Sequence, residues 1–219
     1  MKISLRKYLI SRSILLLVFG ILASACFLIF RGNHKETTPV PKGAVNLAFP
    51  FKNGEFYVLQ SGPDPMFNVH MNPDEKYALD IAKTQSFWRM FLLKPGLESD
   101  PTFGTALYSP CKGAIKSVWT SSPDTPIGRR DPANPGNNVA IACDMFTVRM
   151  SHFKHNSIIV KTGDAVEIGD FLGLAGNSGN TDLPHLHIMA YRENDRGGNT
   201  PLPITFFGRY LLKGDYWPE

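Results

Sequence analysis

Helical periodicity is missing from most of this 219-residue chain. No convincing amphipathic helix can be found between residues 44 and 200. The 19 glycines and 17 prolines are spread along the sequence, which favours short strands joined by turns. Apolar and alternating runs predict strands at 45–51, 55–60, 77–81, 114–119, 138–143, 146–152, 157–160 and 185–191. We therefore expect an all-β fold, in which only Asp144-Met145 separates two strands of a tight hairpin.

An excess of charge of one sign is also missing once the N-terminal segment is set aside. Five of the 23 basic residues and no acidic residue lie in residues 1–31, which leaves 18 basic residues against 19 acidic ones. The formal net charge of +4 is therefore a property of the N-terminus. Because the remainder is nearly neutral and has no basic stripe, we expect no nucleic-acid partner.

A long hydrophobic run occurs at the N-terminus, at residues 14–30. As a helix it would be roughly 25 Å long, close to the thickness of a bilayer core. Four basic residues precede the run and fewer follow it closely, which places the N-terminus in the cytosol. We predict a transmembrane signal-anchor (1–31), a linker (32–43) and a domain (44–219) on the periplasmic or extracellular side of the cytoplasmic membrane.

Cysteine is scarce, with three residues in the chain. One of them, Cys26, follows Ala23-Ser24-Ala25, so a cleaved signal peptide with a lipid on Cys26 is the alternative to the anchor. Cys111 and Cys143 would lie outside the cytosol, where an even pair favours a disulfide between neighbouring strands. The alternative for this pair is two small buried apolar side chains.

Two of the six histidines lie close together, as His185 and His187. Side chains alternate between the faces of a strand, so both imidazoles would project from the same side. Such a pair is suited to a metal site or an acid–base site, although a solvent-facing pair on an edge strand is the simpler explanation. Asp80 is a second unusual residue, because an acid in an apolar strand is costly unless it is paired or bound to a metal.

The order of several motifs makes the signal more specific. The stretch from Gly136 to Tyr191 resembles the lysostaphin-type, or LytM-like, family of zinc murein endopeptidases. The matching segments are 136–141, 150–153, 160–166, 173–180 and the run Pro184-His185-Leu186-His187. Upstream, residues 77–81 and 108–113 fit the first metal motif of the family and the strand after it. The resemblance covers about residues 65–192.

The resemblance implies a compact, antiparallel β-sandwich or barrel-like peptidase domain that binds Zn²⁺. Its substrate would be the peptide cross-links of peptidoglycan. Asp80 and His187 would be zinc ligands. His152 and His185 would be the catalytic pair that activates the zinc-bound water and stabilises the tetrahedral intermediate.

The third ligand departs from the usual pattern of the family. A histidine normally lies four residues before the aspartate, and this sequence has Lys76 there. Some relatives carry a longer loop with the histidine further upstream. His70, ten residues before Asp80, fits that variant, and we assign it as the third zinc ligand.

Two other functions fit parts of the sequence. A catalytically inactive relative would bind cell-wall material or activate an amidase, and such proteins typically lack ligands. A membrane-anchored adaptor with a lipoyl-like module would explain the turns around Gly163-Asp164 and Gly169-Asp170. The adaptor would not need the histidines, and no exposed lysine lies in the hairpin position of a lipoyl carrier.

Overall fold

A computed structural model of the chain describes residues 38–64, 70, 72–84, 96–194 and 197–217. These residues contain no helix with the length and apolar character that a membrane crossing requires. The predicted anchor (1–31) lies outside the described residues, as does the first half of the predicted linker (32–37). The boundaries of the anchor, linker and domain therefore stay predictions.

The described residues form thirteen strands and two short 3-10 turns. The strands are β1 (Val45–Leu47), β2 (Phe56–Gln60), β3 (Leu79–Lys83), β4 (Ala106–Tyr108), β5 (Gly113–Trp119), β6 (Asn137–Cys143), β7 (Phe146–Phe153), β8 (Ala165–Val166), β9 (Phe171–Leu174), β10 (Leu186–Glu193), β11 (Asn199–Leu202), β12 (Ile204–Phe206) and β13 (Tyr216–Trp217). The 3-10 turns are Pro73–Glu75 and Leu97–Ser99.

One large antiparallel sheet organises the domain. Its strand order is β13-β2-β3-β10-β7-β6-β5-β8, and β11 pairs with the far end of β10. Two smaller sheets accompany it: β4 pairs with β9 in the antiparallel sense, and β1 pairs with β12 in the parallel sense. The expected all-β, antiparallel architecture is thus confirmed for the described part of the chain, with the β1–β12 pair as its parallel exception.

The hairpin of β6 and β7 forms where the sequence predicts it. Cys143 pairs with Phe146, so Asp144 and Met145 make a two-residue turn. Asp144 adopts a φ of 52°, the left-handed conformation that aspartate tolerates better than most residues. The hairpin brings the end of β7, and with it His152, next to the start of β6.

The side chains of the central strand β10 point alternately into the hydrophobic core and to the opposite face of the sheet. Leu186 and Ile188 are fully buried in the core, together with residues of β3, β6 and β7. His187, Met189 and Tyr191 alternate with them and point to the opposite face. That second face carries the polar residues described below.

A strand predicted at residues 157–160 is absent. The segment is extended, and Ile159 donates a backbone hydrogen bond to the carbonyl of Leu172 (3.0 Å). Ile158 and Val160 still pack against the core, which explains the apolar pattern. A continuous ladder of hydrogen bonds does not form there, so the apolar residues contribute packing without a strand.

The structure contains the disulfide expected between Cys111 and Cys143, and this prediction is confirmed. The two Cα atoms are 6.0 Å apart, and both side chains are buried. Cys143 ends β6, and Cys111 lies just before β5, so the bond joins neighbouring strands of the large sheet.

Removing this bond is expected to destabilise the domain. The two cysteines are 32 residues apart, and a loop of this length corresponds to about 3–4 kcal/mol of stabilisation. The variant Cys111→Ala/Cys143→Ala should therefore lose about that free energy of unfolding in urea titrations. Thiol titration in denaturant without reductant is the control, because the disulfide leaves only Cys26 to react. Equal stability of the variant and the wild type would contradict the expectation.

Candidate active site

The site begins with a carboxylate in the middle of a buried strand. Antiparallel pairing of β3 and β10 sets Asp80 opposite His187, and Asp80 Oδ1 lies 2.9 Å from His187 Nδ1. Asp80 is only 3% exposed, while its neighbours Leu79 and Ile81 point into the core. A carboxylate at this depth needs partners to offset its desolvation. Three histidines surround it.

His70 reaches the same carboxylate from the loop before β3. Its Nε2 is 3.3 Å from Asp80 Oδ2, and its ring stands nearly perpendicular to that of His187, with 4.8 Å between the ring centroids. One ligand atom each of His70, Asp80 and His187 lies within 4.8 Å of the others. Lys76, in the position of the usual histidine, instead places its ammonium over the ring of Tyr77.

This cluster fits a zinc ion by its chemistry and by its spacing. Two imidazoles and one carboxylate are a common set of protein ligands at catalytic zinc, which keeps a further position for water. Tetrahedral ligands about 2.0–2.1 Å from zinc lie about 3.3–3.4 Å from one another. The 3.3 Å between His70 Nε2 and Asp80 Oδ2 agrees with that spacing.

A second histidine pair lies beside the cluster. The rings of His152 and His185 are 4.8 Å apart, and His185 Nε2 is 3.4 Å from Asp80 Oδ1. His152 Nδ1 donates to the carbonyl of Ser178 (2.8 Å), and His185 Nδ1 donates to that of Leu183 (2.9 Å). Because a carbonyl can only accept, each Nδ1 carries the hydrogen and each Nε2 remains available to the site.

The electrostatics of the site separate these two histidines. Burial lowers the pKa of His152 to about 3, and the positive charges of His185 and His187 add to that effect. Burial also lowers the pKa of His185, but the charge and hydrogen bond of Asp80 outweigh it and leave that pKa above its ordinary value. Burial raises the pKa of Asp80, yet its histidine partners, His185 first, hold it well below the usual range. Such divergent pKa values are typical of an acid and base pair.

Two glycines allow the close packing that orients His152. A Cβ on Gly136 would lie 2.3 Å from the oxygen of Ser178 and 3.0 Å from His152 Nδ1. A Cβ on Gly179 would lie 2.4 Å from the nitrogen of Gly136. Both glycines have positive φ, 77° and 86°, and His152 itself has φ of 66° at the end of its strand. Left-handed backbone is uncommon at residues other than glycine, and such residues are often found at functional sites.

Sequence reasoning assigned no role to the turn that supports His185. The hydroxyl of Thr181 lies 3.2 Å from His185 Nδ1 and donates to the carbonyl of Leu183 (2.8 Å). Asn177 is fully buried and donates its side-chain amide to the carbonyl of Thr125 (2.7 Å). The glycines around this turn were the signal available in the sequence, because close backbone approach requires them.

The five residues line one groove. His70, Asp80, His152, His185 and His187 all contribute to the wall of a depression of about 770 Å³ on the second face of the sheet. Arg149 and Lys213 also line it, and neither was identified from the sequence. The groove is large enough for several residues of an extended peptide.

No protein-family model matches the chain, and no curated protein matches it. Among solved structures, it is similar to a zinc-containing peptidase from Vibrio cholerae, at 20% identity over 76% of this chain and 40% of that chain, with a TM-score of 0.39. It is also similar to the catalytic domain of the M23 protein EnpA from Enterococcus faecalis, at 22% identity over 69% of this chain and 92% of that chain, with a TM-score of 0.42. The catalytic domain of lysostaphin from Staphylococcus simulans matches at 17% identity over 69% of this chain and 88% of that chain, with a TM-score of 0.39.

Lysostaphin and M23 proteins are thus among the solved structures that the chain matches. The chain spans 40% of the length of the Vibrio cholerae peptidase.

The packing of Gly136 can be tested against a matched glycine. Gly128 has a similar φ of 82°, but a Cβ there would meet nothing within 4 Å. Gly128→Ala should therefore cost only the left-handed backbone strain, about 1–2 kcal/mol of unfolding free energy. Gly136→Ala adds the clash with Ser178 and should cost more in urea unfolding. Equal losses for the two variants would mean that the approach of Ser178 to His152 does not depend on Gly136.

Proposed function

We propose that the chain is a zinc metalloendopeptidase that hydrolyses peptide bonds in the cross-links of peptidoglycan. The observation that carries the proposal is the buried Asp80 carboxylate with His70 and His187 on it and the His152–His185 pair beside it, in one open groove. This arrangement supplies three protein ligands and an acid–base pair, which hydrolysis of an amide at a metal site requires.

His70, Asp80 and His187 would hold the zinc ion. When bound, zinc supplies a water of lowered pKa and polarises the scissile carbonyl. The Nδ1–H of His152 donates to the carbonyl of Ser178, so the lone pair of its Nε2 is left for the site. This nitrogen would accept the proton of the attacking water.

His185 complements that base. Its Nε2 is 3.4 Å from Asp80 Oδ1 and would carry a proton beside the metal cluster. A proton donor beside the reacting carbonyl stabilises the negative charge that develops on its oxygen. The hydrogen bond from His185 Nδ1 to the carbonyl of Leu183 fixes the ring in the orientation that this role needs.

We also propose that the domain works outside the cytoplasmic membrane, held by the predicted N-terminal anchor. The Cys111–Cys143 disulfide supports an oxidising compartment. The alternative, an inactive relative that binds cell-wall material or activates an amidase, would typically lack a ligand. The approach of His70 to Asp80 favours the enzyme.

Metal content and cleavage should respond separately to two substitutions. The wild type should bind about one zinc per chain and release peptides from purified peptidoglycan, as measured by elemental analysis and mass spectrometry. His187→Ala should lose the metal and the activity. His152→Ala should keep the metal and lose about 10²–10⁴-fold in rate, because it removes the proton acceptor.

His155→Ala is the matched control, because this histidine bonds to the carbonyl of Ser122 and does not line the groove. It should keep both metal and activity. Full activity of His152→Ala would refute the assigned role of that residue. A well-folded wild type that neither binds zinc nor cleaves peptidoglycan would favour the inactive relative.

A further inference from the structure

Arg149 is the cationic residue on the strand face that forms the floor of the groove. It lies on β7, where it pairs with Met189 of β10, while Ser151 on β7 pairs with His187. Residues two apart on a strand share a face, so Arg149 and His187 point to the same side of the sheet. The two pairs are separated by about 7 Å along the strands. Arg149 therefore lies one step along the groove from the proposed metal ligands.

The surroundings of Arg149 fix its position. Its guanidinium carbon is 5.5 Å from the centre of the Tyr191 ring, and that ring is itself buried against Met189 and Ala78. An aromatic face at this distance attracts a guanidinium group. The side chain is partly buried, and its Nε is shielded from solvent without a hydrogen-bond acceptor.

Arg149 also has no acidic partner in the part of the chain that the structure describes, where no carboxylate lies within salt-bridge distance of it. Its neighbour in the groove, Arg130, is different, because it forms an ion pair with Asp182. A buried N–H group without a hydrogen-bond acceptor, such as the Nε–H of Arg149, destabilises the folded protein until a ligand supplies an acceptor. Planar guanidinium groups bind carboxylates in particular, because two parallel hydrogen bonds can form.

We propose that Arg149 binds a free carboxylate of the substrate peptide, about two residues from the bond that is cut. An extended peptide advances about 3.3–3.4 Å per residue, so the separation of about 7 Å between the strand pairs corresponds to that distance. The inference rests on the proposed peptidase function and adds a substrate requirement to it. Arg149 is then a specificity-determining residue that makes an acidic stem peptide a better substrate than its neutral amide.

The test uses one peptidoglycan preparation in two forms. Half is left with its carboxylates free, and half is converted to primary amides with carbodiimide and ammonia. The full-length wild type should show a kcat/KM about 10- to 100-fold higher on the free form, the range expected for a charge-assisted hydrogen bond in a partly buried site. Arg149→Gln should lose this preference and digest both forms at the low rate. Arg149→Lys should retain part of the preference, because it keeps the charge without the planar fork.

Two variants separate this effect from general charge. Arg192→Gln removes an exposed arginine that bonds to the carbonyl of Met145, and Lys213→Gln removes an exposed lysine at the rim of the groove. Both should keep the wild-type preference. Zinc content and thermal unfolding of each variant report whether the fold and the metal site are intact.

The outcomes distinguish the two proposals. If the wild type digests neither form, the proposed peptidase function is wrong. If it digests both forms equally, or if Lys213→Gln and not Arg149→Gln abolishes the preference, the role of Arg149 is wrong and the peptidase function stands. If Arg149→Gln fails to fold, Arg149→Lys decides the question, and an undiminished wild-type preference in that variant would overturn the role of Arg149.

Discussion

The buried Asp80 carboxylate is the constraint on which the rest of the site depends. It lies between Leu79 and Ile81, whose side chains belong to the core, so the alternation of the strand turns it toward the groove. A shift of one residue in the pairing of β3 with β10 would turn it into the core and expose its neighbours. The core therefore sets the register, and the register places Asp80 opposite His187. The cost of burying a carboxylate is then offset by histidines from the loop before β3 and from the start of β10.

The same carboxylate explains why two similar histidines differ. His185 is 3.4 Å from Asp80, and the negative charge outweighs the burial that would otherwise lower its pKa. His152 is farther from the acid and faces the histidine rings, so burial and positive charge act together and its pKa falls to about 3. The carboxylate therefore acts unequally on the two imidazoles, and the pKa values of His152 and His185 move in opposite directions.

The features that could be predicted from the sequence depend on residues close together in the chain. The hairpin around Asp144 follows from strand alternation and a two-residue turn, and Asp80 was recognisable because an acid in an apolar strand is costly. The segment 157–160 has the same apolar pattern without a strand, because packing and hydrogen bonding are separate requirements. The parallel pairing of β12 with β1 joins distant parts of the chain, and no short pattern encodes it. Arg149 could not be predicted as a site residue, because a charged residue at alternating positions of a strand typically lies on the solvent-facing side of a sheet.

The hydrogen-bond acceptors that orient the proposed catalytic pair belong to the backbone. Patterns of side chains in the sequence therefore do not reveal these acceptors. The acceptors for His152 and His185 are the carbonyls of Ser178 and Leu183, and any residue type has a carbonyl. The sequence must therefore allow the chain segments to approach closely, as Gly136 does. A single methyl group at Gly136 would clash with the carbonyl of Ser178 and crowd the imidazole of His152. The sequence thus supplies the chemical groups of the site as histidines and an aspartate. A glycine, which has no side chain, allows the close packing that orients His152.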